Sequence, residues 1–221
     1  MISNAGRTRM KVCCISSFEE AQMAVACGAD AVGLVSKMPS GPGVISDSLI
    51  YEIAQIISPP VATFLLTSEE KADSIADHLV HSGANTVQIV SHVDPSEHER
   101  LRKKLPRGLK VVQVVHVEDE YAVELAQDYA PYVDALLLDS GNPSENELGG
   151  TGRIHDWTHS KAIVESAAAP VFLAGGLTPE NVGEAVKTVG PFAVDVCSGV
   201  RTNGKLDPEK LAAFYQALSV A

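Results

Sequence analysis

Cys13 and Asp139 are the two side chains best suited to move protons on one small ligand, because each closes a short apolar run that reads as a strand opening into a loop. A thiol acts as a base only as the thiolate, which needs nearby donors, a cation or a helix N-terminus; otherwise a buried cysteine is a small inert hydrophobe. Asp139 follows ALLL and opens a glycine-rich stretch, ELGGTGRIHDW. A strand-end aspartate can equally cap a turn with its own carboxylate.

A second kind of chemistry is carried by glycine. LAGGL, with Gly175 and Gly176, and DVCSGV, with Ser198 and Gly199, each follow an apolar run near the end of the chain. Residues without a Cβ let backbone N–H groups approach phosphate oxygens closely, so the two motifs together point to a phosphate cradle. His116 ends another apolar run and reads either as a contact in the same mouth or as a rim histidine. His155 and His159 are spaced i, i+4, and His92 and His98 follow a fourth run. No third and fourth metal ligands accompany them, so solvated helix-start positions compete with a metal site and no metal is expected.

These residues need elements to hold them. Short runs rich in β-branched residues recur about every 20 to 30 residues, each followed by a helical pattern, which is the grammar of βα units around a parallel sheet. Eight strands are expected: 10–14, 31–35, 61–66, 86–90, 110–116, 135–138, 171–174 and 193–196. Helices are expected after Ser17 (with Gly28 as the stop), Ser46, Ser68, Thr178-Pro179 and Asp207-Pro208. The expectation is an α/β fold, a (β/α)8 barrel forming a single domain over residues 1–221, with its site at the strand C-termini. A doubly wound sheet would require a glycine-rich turn after the first strand, and KVCCISS is not one.

Composition narrows the partners. The formal charge of -11 lacks any basic cluster, which excludes the electrostatic footprint of a nucleic-acid or membrane-surface binder. A small anionic ligand stays compatible, because local N–H groups act at contact distance. The four cysteines, Cys13, Cys14, Cys27 and Cys197, have neither zinc nor disulfide spacing, and no apolar run has membrane-spanning length. A cytoplasmic monomer or homodimer without cofactor is expected.

With these motifs in hand, the chain resembles the phosphoribosylanthranilate isomerase family nearly end to end. The family's K-[IV]-C-G-I is similar to Lys11-Val12-Cys13-Cys14-Ile15, and its G-A-D-x-[LV]-G-[FL] to Gly28 through Leu34. Its L-L-D-S, G-G-[TS]-G and D-W resemble Leu137 through Trp157, its A-G-G-L resembles Ala174 through Leu177, and its D-V-x-S-G-V and G-x-x-D resemble Asp195 through Asp207. The resemblance implies an Amadori rearrangement in tryptophan biosynthesis, an aminoaldose phosphate becoming an aminoketose phosphate, with Cys13 as general base and Asp139 as general acid. It adds Gly150 and Gly152 to the glycines that hold substrate.

The departures cluster in one region. The family's S-P-R after the second strand, whose arginine holds the anthranilate carboxylate, is Gly41-Pro42-Gly43 here, and the glycine after the catalytic cysteine is Cys14. V-Q-L-H-G reads Val87-Gln88-Ile89-Val90-Ser91, and the strand-five Lys and Arg positions read Gln113 and His116. Lys37, Gln88, Gln113 and His116 are therefore the candidate substrate contacts, with Lys37 a substitute cation in the loop. Two further readings stay open: the same isomerisation on a shifted phosphosugar substrate, and a non-catalytic phospholigand-binding protein.

Overall fold

The computed structural model describes residues 7–140 and 156–221. Eight parallel strands close into a barrel in chain order: β1 (Arg9–Val12), β2 (Ala31–Val35), β3 (Ala62–Thr67), β4 (Thr86–Ile89), β5 (Lys110–His116), β6 (Ala135–Asp139), β7 (Val171–Leu173) and β8 (Ala193–Val196). Each is followed by a helix: α1 (Phe18–Ala26), α2 (Asp47–Ile56), α3 (Ala72–Ser82), α4 (Pro95–Lys104), α5 (Tyr121–Tyr129), α6 (Trp157–Ser166), α7 (Val182–Val189) and α8 (Pro208–Ser219). The seam is β1 against β8, in the register Lys11 to Asp195 and Val12 to Val196. Beyond Val12 the Cys13 N–H donates to the Val196 carbonyl at 2.8 Å, so the thiol-bearing residue is tied directly to β8.

Strand alternation sorts side chains into two apolar layers. Met10, Val12, Leu34, Leu65, Val87, Val111, Leu136 and Val194 face the helices and pack with residues such as Ile53, Ile75, Leu211 and Phe214. Cys13, Val35, Phe64, Leu66, Val112, Val114, Leu137 and Phe172 fill the barrel. A strand buried on both faces must be nearly continuous in apolar residues, which is why the eight runs stood out in the sequence.

Caps divide into those written locally and those supplied from afar. Ser17 accepts from the Glu20 N–H and Ser46 from the Leu49 N–H, as expected, and Asp207 accepts from the N–H groups of Glu209 and Lys210. Ser68 does not cap α3. That helix starts at Ala72, whose N–H donates at 2.8 Å to a carboxylate of Glu97 on α4, so its cap is a tertiary contact. Likewise α7 begins at Val182, because Thr178 is held in a turn by the Asn181 side chain. A small hairpin, β9 (Arg201–Thr202) with β10 (Lys205–Leu206), follows β8 and was not foreseen. Among the described residues no helix is long and apolar enough to cross a membrane.

Because Phe214 on α8 is wholly buried against the barrel, Phe214→Ala is expected to cost about 3–5 kcal/mol of unfolding free energy. Tyr121→Ala, at an exposed position, is expected to change it by less than ~0.5 kcal/mol in the same denaturant titration.

Candidate active site

The C-terminal ends of the strands surround a cavity that opens to solvent. Cys13 and Asp139 both line it, from β1 and β6. So do Gly175, Gly176 and Leu177 after β7, and Asp195, Cys197 and Ser198 from β8 and its loop. Met38, Ser40, Gly41 and Pro42 form the wall after β2.

Beneath Cys13 lies a charge pair that the sequence reading passed over. Lys11 Nζ donates to Asp195 Oδ2 at 2.8 Å, with the lysine side chain wholly buried. Burial alone would pull the Lys11 ammonium down, but Asp195, with Cys13 and Cys14 nearby, outweighs it and holds the proton on. Burial pushes the Asp195 carboxyl up, against the pull of Lys11, and Asp139 adds to the rise. Gly33 on β2 makes the space: a Cβ there would stand 2.8 Å from Cys13 Sγ and 3.1 Å from Lys11 Nζ. The signal was a charged residue in the middle of two apolar strands, MKVC and AVDV.

The loop after β1 is clamped from outside. Arg201 donates to the carbonyls of Cys13 and Cys14, at 3.3 and 2.6 Å, and forms a two-pronged pair with Glu20 at 2.9 and 3.1 Å. Glu20 also accepts from the N–H groups of Ser16 and Leu206. Burial pushes its carboxyl up, but Arg201 and these N–H groups more than offset that and hold it below its ordinary value. Cys14 sits at φ +61, the left-handed region that glycine occupies without strain. Hydrogen bonds to the sulfurs of Cys13 and Cys197, together with burial, hold the Cys14 thiol protonated. Donation from Cys14 and the charge of Arg201 draw the Cys197 thiol down.

The two glycine motifs pack on each other. Gly175 and Gly176 have φ of +85 and +63, and any Cβ on Gly199 would drive into the Leu177 carbonyl, so the β7 and β8 loops touch through backbone. Asn181 braces this turn, donating to the Gly176 carbonyl at 2.9 Å.

The candidate contacts separate. Gln88 is buried on the inner face of β4 and lines the cavity. Lys37 is exposed and lines a neighbouring groove with Asp47 and His78, so it does not enter the cavity wall. Gln113 shares the outward parity of Val111 and Val115; its amide donates to the Ser91 and Val114 carbonyls and its oxygen meets His98 Nε2 at 2.8 Å. His116 places Nε2 at 3.0 Å from the Val90 carbonyl and lines a separate groove with His92 and Tyr129. Gly150, Gly152 and His155 lie outside the described residues. Among the described residues no group of three His, Cys, Asp or Glu side chains could hold a metal ion.

Two of the departures from the family pattern meet in space. A Cβ on Gly43, which itself has φ +81, would stand 2.5 Å from the Cβ of Cys14. The cysteine that replaces a glycine after Cys13 thus occupies the space that a side chain at position 43 would need.

Comparison with known proteins agrees with this layout. The family model described as N-(5'phosphoribosyl)anthranilate (PRA) isomerase matches residues 10–217. An N-(5'-phosphoribosyl)anthranilate isomerase of Haloferax volcanii is 38% identical over 216 residues, which are 97% of this chain and 94% of that one. The crystal structure of phosphoribosyl anthranilate isomerase from Thermotoga maritima superposes with a TM-score of 0.83 at 30% identity, covering 97% of this chain and 100% of that chain. A phosphoribosyl anthranilate isomerase in complex with reduced 1-(o-carboxyphenylamino)-1-deoxyribulose 5-phosphate superposes at 0.78 with 28% identity, over 97% and 100% of the two chains.

Gly43→Arg alone is expected to destabilise the fold by roughly 2–4 kcal/mol, from overpacking plus left-handed strain, and adding Cys14→Gly is expected to recover most of the loss in thermal denaturation. Glu20→Gln is expected to cost about 2 kcal/mol at neutral pH. Because the Glu20 carboxyl is held low in the folded state, its contribution is full above its ordinary value of 4.5 and fades as pH falls through the lowered one. The stability gap between wild type and Glu20→Gln, followed by urea titration at several pH values, should therefore narrow only on the acid side of that value.

Proposed function

The chain belongs to the N-(5'-phosphoribosyl)anthranilate isomerase family, and on that premise we propose that it converts phosphoribosylanthranilate to the aminoketose phosphate, a step of tryptophan biosynthesis, with Cys13 and Asp139 as its base and acid. The observation that carries this reading is that both groups line one cavity, with the paired glycine turns of β7 and β8 lying between their two strands in the barrel order. An isolated thiol or an isolated carboxyl would carry much less.

The chemistry runs in two proton transfers. Asp139 gives its proton to the furanose ring oxygen; the C1′–O bond breaks as the nitrogen lone pair forms the C1′=N bond of a protonated imine (iminium). The Cys13 thiolate then removes the C2′ proton, and the C2′–H electron pair becomes the C1′=C2′ bond of an enolamine while nitrogen recovers its lone pair. Tautomerisation of that enol gives the ketose. Phosphate held by Gly175, Gly176, Ser198 and Gly199, together with Gly150 and Gly152, fixes the far end of the sugar, so the reacting carbons are presented at constant geometry.

The amine end is held differently from the family pattern. Met38, Gly41, Pro42 and Cys14 supply an uncharged wall where an arginine is the family's anchor. Gln88, on the inner face of β4, is the polar side chain of this half that supports a substrate contact. Reduced cysteines and the absence of a basic patch support work in the cytoplasm on a small phosphorylated substrate, as a monomer or homodimer.

Turnover of phosphoribosylanthranilate tests the proposal. Wild type is expected to be active, and Cys13→Ser and Asp139→Asn are each expected to lower kcat/KM by about 10²–10⁴-fold. Equal turnover by wild type and both variants would show that neither group is the acid or base.

A further inference from the structure

Two thiols in the cavity wall move no proton in the isomerisation. Cys14 and Cys197 line the same cavity as Cys13, and both pack in the apolar layer that fills the barrel. The β1–β8 seam gathers them. The two strands run in register to Val12 and Val196, and the next rung is the Cys13 N–H donating to the Val196 carbonyl at 2.8 Å. The fourth cysteine, Cys27, caps the end of α1 and packs in the outer layer.

Geometry selects which two sulfurs can join. A disulfide sets its Cα atoms about 4.4–6.8 Å apart, whereas neighbours across a trans peptide are held at about 3.8 Å, so Cys13 and Cys14 cannot bond without distorting the chain. Cys13 turns its sulfur toward Gly33, where a Cβ would stand 2.8 Å from it, and β2 flanks β1 on the side away from β8. Cys14, turned by its φ of +61, is hydrogen-bonded through its sulfur to that of Cys197. The backbones of this pair are bolted together independently: Arg201, which closes the short turn after Cys197, donates to the Cys14 carbonyl at 2.6 Å. The two thiols also differ in kind. The hydrogen bond from Cys14 and the charge of Arg201 favour thiolate at Cys197 against the effect of burial, whereas Cys14 is held protonated.

We propose that Cys14 and Cys197 form a reversible disulfide when a hydroperoxide enters the cavity, and that this bond shuts the site. The Cys197 thiolate attacks the terminal peroxide oxygen and the O–O bond breaks. The sulfur is oxidised to a sulfenic acid, and the peroxide is reduced to an alkoxide that takes a proton and leaves as alcohol, or as water where the oxidant is hydrogen peroxide. The Cys14 sulfur then attacks the sulfenic sulfur; the S–O bond breaks, and the hydroxide leaves with the Cys14 proton as water. Bringing the sulfurs to about 2.05 Å draws the residue after Cys13 toward the residue before Ser198, so base and phosphate cradle are displaced together. A dithiol reductant reverses the bond by exchange. The effect on turnover rests on the isomerase reading, whereas the disulfide itself rests on the seam.

The test treats reduced protein with one equivalent of hydrogen peroxide, blocks the remaining thiols in urea, and maps disulfides by mass spectrometry after trypsin. The expected product links peptides 12–37 and 188–201 through Cys14 and Cys197, with Cys13 and Cys27 blocked as free thiols. Cys14→Ser and Cys197→Ser are each expected to abolish the link, and Cys13→Ser to keep it. Turnover of phosphoribosylanthranilate is expected to fall about tenfold or more on oxidation and to return with dithiothreitol, while Cys197→Ser loses less than about twofold of its own untreated rate. A bond made by Cys13, the absence of any link, or a linked protein with undiminished turnover overturns the proposal, and so does an equal loss in Cys197→Ser. Reduced protein without turnover would instead sink the isomerase reading. The peptide map then decides the disulfide, and calorimetry with ribose 5-phosphate decides closure, with binding expected to weaken about tenfold or more in the linked protein.

Discussion

The pair between Lys11 and Asp195 is the constraint on which the site depends, because it joins the first strand to the last inside the barrel and fixes the floor beneath Cys13. Two charges taken fully out of water gain little net stability over an apolar pair of the same volume. Their value lies in geometry. The lysine needs the space that Gly33 leaves, the thiol rests against the same glycine, and the carboxylate gives one oxygen to the lysine while the residue lines the cavity floor. Removing either partner alone would strand a charge, at about 3–5 kcal/mol.

Around this floor the rim is assembled from pieces that hold one another. Arg201 reaches back from beyond β8 to the carbonyls of Cys13 and Cys14, and Glu20 on α1 holds Arg201, so the loop that carries the thiol is fixed by side chains from both ends of the chain. Beside it, across the β1–β8 seam, the β7 and β8 turns meet through backbone, with Asn181 bracing them. The β2 loop is shaped by Cys14, whose side chain fills the space beside Gly43. Two changes from the family pattern that are distant along the chain therefore fall at positions in direct contact.

The barrel was legible because strands buried on both faces must be apolar throughout, and five of the eight helices begin with Ser or Asp caps that bond locally; three of these, at Ser17, Ser46 and Asp207, were named from sequence, while Asp94-Pro95, which repeats the grammar of Asp207-Pro208, and Asp156 before Trp157 were passed over. Ser68 misled because the true cap of α3 is Glu97, 25 residues later. In the site, Cys13, Asp139, Gly175, Gly176 and Ser198 were readable from their place after apolar runs, and the cavity gathers all of them. Gln113 and His116 were not readable in that way: strand parity sends the first outward to His98, and a carbonyl of β4's loop takes the second. Lys11 and Asp195 were hidden inside runs read as merely apolar, where an isolated charge should have counted as a signal.

The account turns on a thiol and a carboxyl acting on a single bound sugar phosphate. A crystal structure of this protein with reduced 1-(o-carboxyphenylamino)-1-deoxyribulose 5-phosphate, the ligand of the related isomerase complex, would test that most directly. The ligand should lie with its phosphate on the Gly175 and Ser198 turns, Cys13 Sγ against C2′ and the Asp139 carboxyl against the other side of the same molecule. Density that places the phosphate elsewhere, or leaves either side chain out of contact with the ligand, would contradict it.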